Sequence, residues 1–167
     1  MKTASSRSDD SERTARTYAE IGQIYEESIE DEVNAYSYYE DAIKEDPSVI
    51  DLAGPPLIDM YHKEGRWETA IPLLERYIST LEQSDEVANQ VLRDRYAELG
   101  KAYEELEQID EAIEAYRGAY EIDPGSIDTS MRLGRLLFEQ DQYQKARAIH
   151  EKIERDFLSR LDGDDVL

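Results

Sequence analysis

A repeat of thirty-four residues constrains this chain more than any other feature of its sequence. Leu99-Gly100 returns thirty-four residues later as Leu133-Gly134, and Ala112 returns as Ala146. The fullest copy of the unit runs Tyr96-Ala-Glu-Leu99-Gly100-Lys-Ala-Tyr103, then Ala112-Ile-Glu-Ala-Tyr116-Arg-Gly-Ala119, then Asp123-Pro124. An earlier stretch, Tyr18-Ala-Glu-Ile21-Gly22-Gln-Ile-Tyr25, matches its first half almost letter for letter. Ala35, Tyr39, Ala42 and Asp46-Pro47 match its second half. A fainter copy passes through Leu57, Tyr61, Gly65-Arg66-Trp67-Glu68, Ala70 and Leu74. A fixed period of this length marks an architecture built from one repeated supersecondary unit.

The spacing inside a copy says what that unit is. The large residues fall at i, i+3, i+4 and i+7 intervals, which is one face of a helix. Each copy therefore reads as two antiparallel helices joined by a short turn. Small residues, Gly at the eighth position and Ala at the twentieth, let the two backbones approach, and the tyrosines fill the space beside them. Asp-Pro ends the second helix, because the residue before Pro is pushed out of the α region. One hairpin cannot bury its own apolar face, so the copies must stack. The pattern predicts eight helices, over 12–29, 32–45, 55–64, 67–82, 86–106, 109–122, 127–140 and 143–161.

These residues resemble the tetratricopeptide repeat family across roughly residues 13–161. The resemblance implies an all-α fold, a right-handed α-α superhelix (solenoid) of about four helix-turn-helix repeats, near 15–49, 51–84, 86–126 and 127–161. Copies one and three carry every pattern position, with Tyr for Trp at the fourth and Tyr for Phe at the twenty-fourth. Copy four is looser, with Ser130 at the fourth position and His150 at the twenty-fourth. Copy two departs most: Gly54-Pro55-Pro56 stand where its first helix should begin, and Ile58 replaces Gly. That helix is expected to start late and be short, and Pro72 to kink the next helix or delay its start. Ser84 and Asp85 are candidate caps for the fifth helix. Residues 1–11 read as a disordered polar tail, residues 12–161 as the repeat domain, and residues 162–167 as a frayed acidic end.

Charge narrows the partners. Forty acidic residues against nineteen Lys and Arg give a net charge of −21. Such a polyanion repels nucleic acid and anionic membranes, so neither is expected as a partner, and a basic protein fits better. Three explanations of the acidity stand open: solubility through self-repulsion, salt adaptation, and a docking surface for basic partners. There is no cysteine. No apolar run approaches the ~18–20 residues of a membrane span. The first ten residues lack the apolar core of a signal peptide, so the cytoplasm is the expected compartment.

Nothing in the sequence assembles chemistry. His62 and His150 are the only histidines, too few for the usual metal-ligand sets. Paired carboxylates abound, but forty acids produce pairs by chance. No catalytic, metal or cofactor site is expected, and the chain is not read as an enzyme. Trp67, at a turn between helices, is expected to pack as a staple, and His150 as a helix-packing residue with its ring tip near water.

The resemblance also places a partner. In the family, the first helices of successive repeats line a concave groove. Carried over by position, the contacting residues are Gln23, Glu26 and Glu27 in copy one, His62 in copy two, Lys101 and Glu104 in copy three, and Arg132, Arg135 and Phe138 in copy four. Arg132 and Arg135 are three apart and point the same way. The subclass that clamps chaperone carboxylates needs Lys and Asn at set positions, where this chain has Ala19, Gln23, Pro56, Asp94 and Glu98, so that activity is not implied. The expected function is a protein–protein interaction scaffold or adaptor that binds a peptide or partner protein in the groove. The alternatives are a self-associating structural repeat protein, or a regulatory segment of a larger assembly or enzyme. The stripe Ile149, Ile153, Phe157, Leu158 and Leu161 on the last helix is a candidate homo-oligomer contact.

Overall fold

The computed structural model describes residues 4–84 and 89–164, apart from the side chains of 4–8, 157 and 160–164. The candidate cap Asp85 lies outside these residues. Among them are eight α-helices and no strand: α1 (Ala4–Ile24), α2 (Glu32–Glu45), α3 (Ile50–Lys63), α4 (Trp67–Glu82), α5 (Asn89–Glu105), α6 (Ile109–Ile122), α7 (Ile127–Glu139) and α8 (Tyr143–Asp164). Contacts divide the chain into two compact units that part between Thr80 and Leu81, called unit 1 and unit 2 below.

The hairpins close as the spacing predicts. Ala35, Ala70, Ala112 and Ala146 are buried in the seams. A Cβ added at Gly22 would sit 2.9 Å from the ring of Tyr39, and one at Gly100 would sit 2.8 Å from the ring of Tyr116. The eighth-position glycine is thus the floor on which the twenty-fourth-position ring lies. In copy four the ring is that of His150, whose Nε2 would lie 2.9 Å from a Cβ on Gly134. Copy two reverses the sizes: Ile58 takes the glycine position, Leu74 takes the tyrosine position, and both are fully buried. A second pair interlocks the other way in copy three, where a Cβ on Gly118 would meet the ring of Tyr96 at 2.8 Å.

Copy one carries one residue more than the others. Gly22 stands thirteen residues before Ala35, against twelve from Gly100 to Ala112 and from Gly134 to Ala146. The extra residue is absorbed where α1 widens into a π-helical turn over Tyr25–Ile29, the usual way a helix takes in a single insertion. The turn residue that follows shifts with it. Gly65, Glu107 and Asp141 have φ of 67°, 59° and 58° and come seven residues after the eighth position, whereas Glu30, at 57°, comes eight after. All four end the first helix of a hairpin in the left-handed region, where only glycine sits without strain. Glu107→Gly is therefore expected to stabilise unit 2 by ~1 kcal/mol, read as a rise in the urea midpoint of the full chain. An unchanged midpoint would count against the strain.

The second helices of copies one and three end at Asp-Pro as expected. Asp46 accepts from the Ser48 backbone N–H at 2.9 Å, and Asp123 from that of Gly125 at 3.0 Å. The first of these bonds holds the Asp46 carboxyl below the usual carboxylate range.

Copy two does not follow the expectation for its prolines. A 3₁₀ turn over Pro47–Val49 leads straight into α3, which begins at Ile50 and carries Pro55 and Pro56 inside it. The helix is longer than expected, not shorter. Gly54 eases the path, because without a Cβ it is spared part of the clash that keeps residues before Pro out of the α region. The prolines leave the carbonyls of Asp51 and Leu52 without their helical donors, and both residues are exposed to water. α4 likewise starts at Trp67 with Pro72 inside it, so its start is not delayed.

The ends differ too. The 1–11 stretch expected as a disordered tail is helical from Ala4 onward. Ser11 ties it to α2 through the Glu45 carboxylate at 2.9 Å, and Glu12 pairs with Arg16 one turn on at 3.1 Å. At the other end α8 runs on to Asp164, past the expected limit at 161. Two of the three described members of its apolar stripe are covered by their own unit: Ile149 is buried and Ile153 packs on the core of Ala112, Tyr116, Leu133 and Leu137. Leu158 remains half exposed. The side chains of Phe157 and Leu161 lie outside the described residues.

Candidate interaction surface

Each unit gathers some of the expected contact residues. In unit 1, Gln23, Glu26 and Glu27 meet at the end of α1, around a cleft of about 240 Å³ shared with Tyr39, Asp51, Leu52 and Pro56. Gln23 Nε2 donates to Glu27 at 2.9 Å. Glu26 is drawn inward, since its carboxylate accepts from the Tyr39 hydroxyl at 2.7 Å. Burial, then that bond, pushes the Tyr39 phenol well above its ordinary pKa. Among the described residues no cation lines this cleft, and the charged ones that do, Glu26, Glu27 and Asp51, are acidic.

His62 does not join that cleft. It lies half-buried near the end of α3, with its ring 5.1 Å from the Trp67 ring. Trp67 packs on the turn as expected. The neighbouring Lys63 reaches Glu32 at 3.6 Å.

Unit 2 brings Glu104, Arg132 and Arg135 together and leaves Lys101 exposed on α5. Glu104 is the hinge of the group. Its carboxylate accepts from the Tyr116 hydroxyl at 3.1 Å, pairs with Arg132 at 3.5 Å, and pairs closely with Arg135. Arg132 also holds Asp128 at 3.2 Å, and Arg135 holds Glu139 at 3.1 Å. The two guanidiniums are thus counterbalanced within the unit, yet their side chains stay 39% and 49% exposed. Each has five N–H donors, more than these pairs consume. Beside them Phe138 is 61% and Met131 56% exposed. The Phe138 ring meets Tyr143 edge-on at 5.2 Å. Asp128, Met131, Arg132, Arg135, Phe138 and His150 surround an open cleft of about 550 Å³.

Sequence reasoning missed two parts of this arrangement. One is the anchoring of Glu26 and Glu104 by tyrosine hydroxyls. A signal existed: each Glu stands four residues after the eighth-position glycine, and both of these copies, one and three, place Tyr at the twenty-fourth. The other is His150, whose exposed ring lines the unit 2 cleft. Its role over Gly134 was legible, but its part in the cleft was not.

The described residues hold no cluster of three His, Cys, Asp or Glu placed to bind a metal ion. No described helix is long and apolar enough to cross a membrane.

Three family models, each described as a tetratricopeptide repeat, match the sequence at residues 15–49, 58–86 and 103–157. No curated protein matches by sequence. Among solved structures, the chain resembles MamA, with a TM-score of 0.64 at 22% identity over 89% of this chain and 81% of that one. It resembles MamA 41-end from Desulfovibrio magneticus RS-1, with a TM-score of 0.60 at 22% identity over 85% and 76%. It also resembles the N-terminal domain of stress-induced protein-1 (STI-1) from C. elegans, with a TM-score of 0.58 at 14% identity over 75% and 96%. At these identities the likeness speaks for the fold alone: an all-α solenoid of helical hairpins.

Proposed function

We propose, from the premise that the chain belongs to the tetratricopeptide repeat family, that it holds a peptide or partner protein against the first-helix surface of its hairpins. Protein interaction in general is what such repeats serve; the first-helix site is the finer step. The observation that carries it is on α7. Met131 and Phe138 are large apolar side chains left more than half exposed, beside two arginines that keep donors to spare. Exposed apolar groups next to oriented charges are what a binding surface needs. In unit 1 the matching surface is acidic, which favours basic residues in the segment that lies there.

The test is capture of partners from the source cell by the full chain. Arg132→Glu with Arg135→Glu is expected to reduce recovery of a bound protein at least tenfold, about 1.4 kcal/mol of binding. Both side chains are half exposed, so the variant should stay folded, which circular dichroism checks. Undiminished recovery would remove α7 from the site. Self-association through α8 is the weaker reading, because most of the described stripe is covered by its own unit.

A further inference from the structure

The second helices of unit 1 enclose a cleft that the first-helix reading does not use. It lies between α2 and α4, over α3, and has a volume of about 350 Å³. Its floor is apolar: Leu57 and Tyr61 are buried there. Ile43 and Leu73 are half-buried at its sides, and Pro72 is exposed at its edge. The volume is near the lower end of the ~300–1,000 Å³ typical of ligand pockets.

Unit 2 shows how such a place is normally closed. By position in the repeat, Ile43 corresponds to Tyr120, Leu57 to Leu133 and Leu73 to Ile149. In unit 2, Leu133 and Ile149 belong to one core and the Tyr120 side chain packs against it. In unit 1 the smaller Ile43 leaves the space open.

Charge indicates what fits. Lys44 and Arg76 stand exposed at the rim. Among the described residues neither makes an ion pair, in a chain with forty acidic residues, whereas Arg93, Arg95, Arg132 and Arg135 all do. The acid that lines the cleft among the described residues, Glu40, is engaged by the Tyr61 hydroxyl at 2.9 Å. Arg76 does act at longer range on Asp46, but an apolar floor with two exposed, unbridged cations at its edge is complementary to an apolar side chain flanked by carboxylates.

We propose that this cleft takes a single large apolar side chain from a partner protein, with acidic residues beside it that reach Lys44 and Arg76. This second docking point is separate from the first-helix surface and does not depend on it.

The probe is a short fluorescein-labelled synthetic peptide with one phenylalanine between paired glutamates. Its anisotropy is followed on titration with the full chain at ~0.15 M salt, where charges beyond ~8 Å are screened. Binding is expected despite the net charge of −21, and replacing the glutamates by lysines, or the phenylalanine by alanine, should abolish it. Lys44→Glu with Arg76→Glu should weaken binding at least about tenfold. Ile43→Tyr, which fills the cleft as Tyr120 does in unit 2, should do the same. Arg147→Glu, at an exposed cation on α8 that lines neither this cleft nor the one on α7, should leave it unchanged. No binding up to about 1 mM, equal binding of the lysine peptide, or equal affinity of the rim and filling variants would each overturn the proposal. Loss confined to the Arg132/Arg135 variant would also overturn it, by placing the peptide on the first-helix surface.

Discussion

Gly100→Ile is expected to destabilise unit 2 by about 3 kcal/mol or more, the upper range for overpacking. The new Cβ alone would lie 2.8 Å from three ring atoms of Tyr116, closer than non-bonded carbons pack. The ring cannot simply swing aside. It is only 1% exposed, and its hydroxyl is bound to Glu104. Copy two shows the compensated arrangement, with Ile58 and Leu74 at the same two positions. Tyr116→Leu added to Gly100→Ile should therefore recover at least ~1 kcal/mol relative to the sum of the single changes. Urea unfolding of the full chain and its variants reads both numbers. Strict additivity would mean that the two positions do not share one space.

The second large effect is loss of stability at high pH. Four buried or half-buried tyrosines, Tyr39, Tyr61, Tyr96 and Tyr116, hold their protons more tightly than an ordinary phenol at 10.0. Burial is the main cause in each, and the carboxylates of Glu26, Glu40, Glu82 and Glu104 add to it. Tyr61 and Tyr96 are pushed up to about 12, and the other two higher still. In the unfolded chain these groups ionise near pH ~10. A folded value raised above the unfolded one contributes stability that is whole below the unfolded pKa. That contribution is lost as pH climbs towards the folded one. The melting temperature is thus expected to hold to about pH 10 and to fall steeply between about pH 10 and 12. Tyr61→Phe together with Tyr96→Phe should make the fall shallower. A melting temperature constant to about pH 11 would show that the phenols are not held neutral by the fold.

Much of this fold was legible because the repeat is written in sizes. α2, α4 and α6 have the limits that the spacing gives, and Gly22 and Gly100 lie under Tyr39 and Tyr116 as the eighth and twenty-fourth positions require. What escaped has specific causes. The π-helical turn follows from one extra residue between Gly22 and Ala35, which a comparison of letters passes over. The start of α3 at Ile50 escaped because proline in a helix costs ~3 kcal/mol intrinsically. Here packing outweighs that cost: Ile50, Ala53, Leu57 and Ile58 are all buried. The helical residues 4–11 gain from Ser11 meeting Glu45, a contact thirty-four residues distant that local composition cannot announce. The surface was less legible than the core. Arg132 and Arg135 read as free cations along the chain. In space both belong to Glu104, which reaches them from α5 and is itself oriented by Tyr116. Glu26 and Glu104, read as groove residues, serve equally as acceptors for the buried phenols.

These pairings sharpen what a partner must do. On α7 it has to add to an ion-paired cluster, or displace Glu104 from it, while covering Met131 and Phe138. The proposed function requires the first helices to be faces that partners touch. Hydrogen–deuterium exchange of the full chain, alone and bound to a captured partner, tests that most directly. Slowed exchange is predicted in the later part of α1, in α5 or in α7. Protection confined to α2, α4, α6 and α8, with all first helices unchanged, would contradict it.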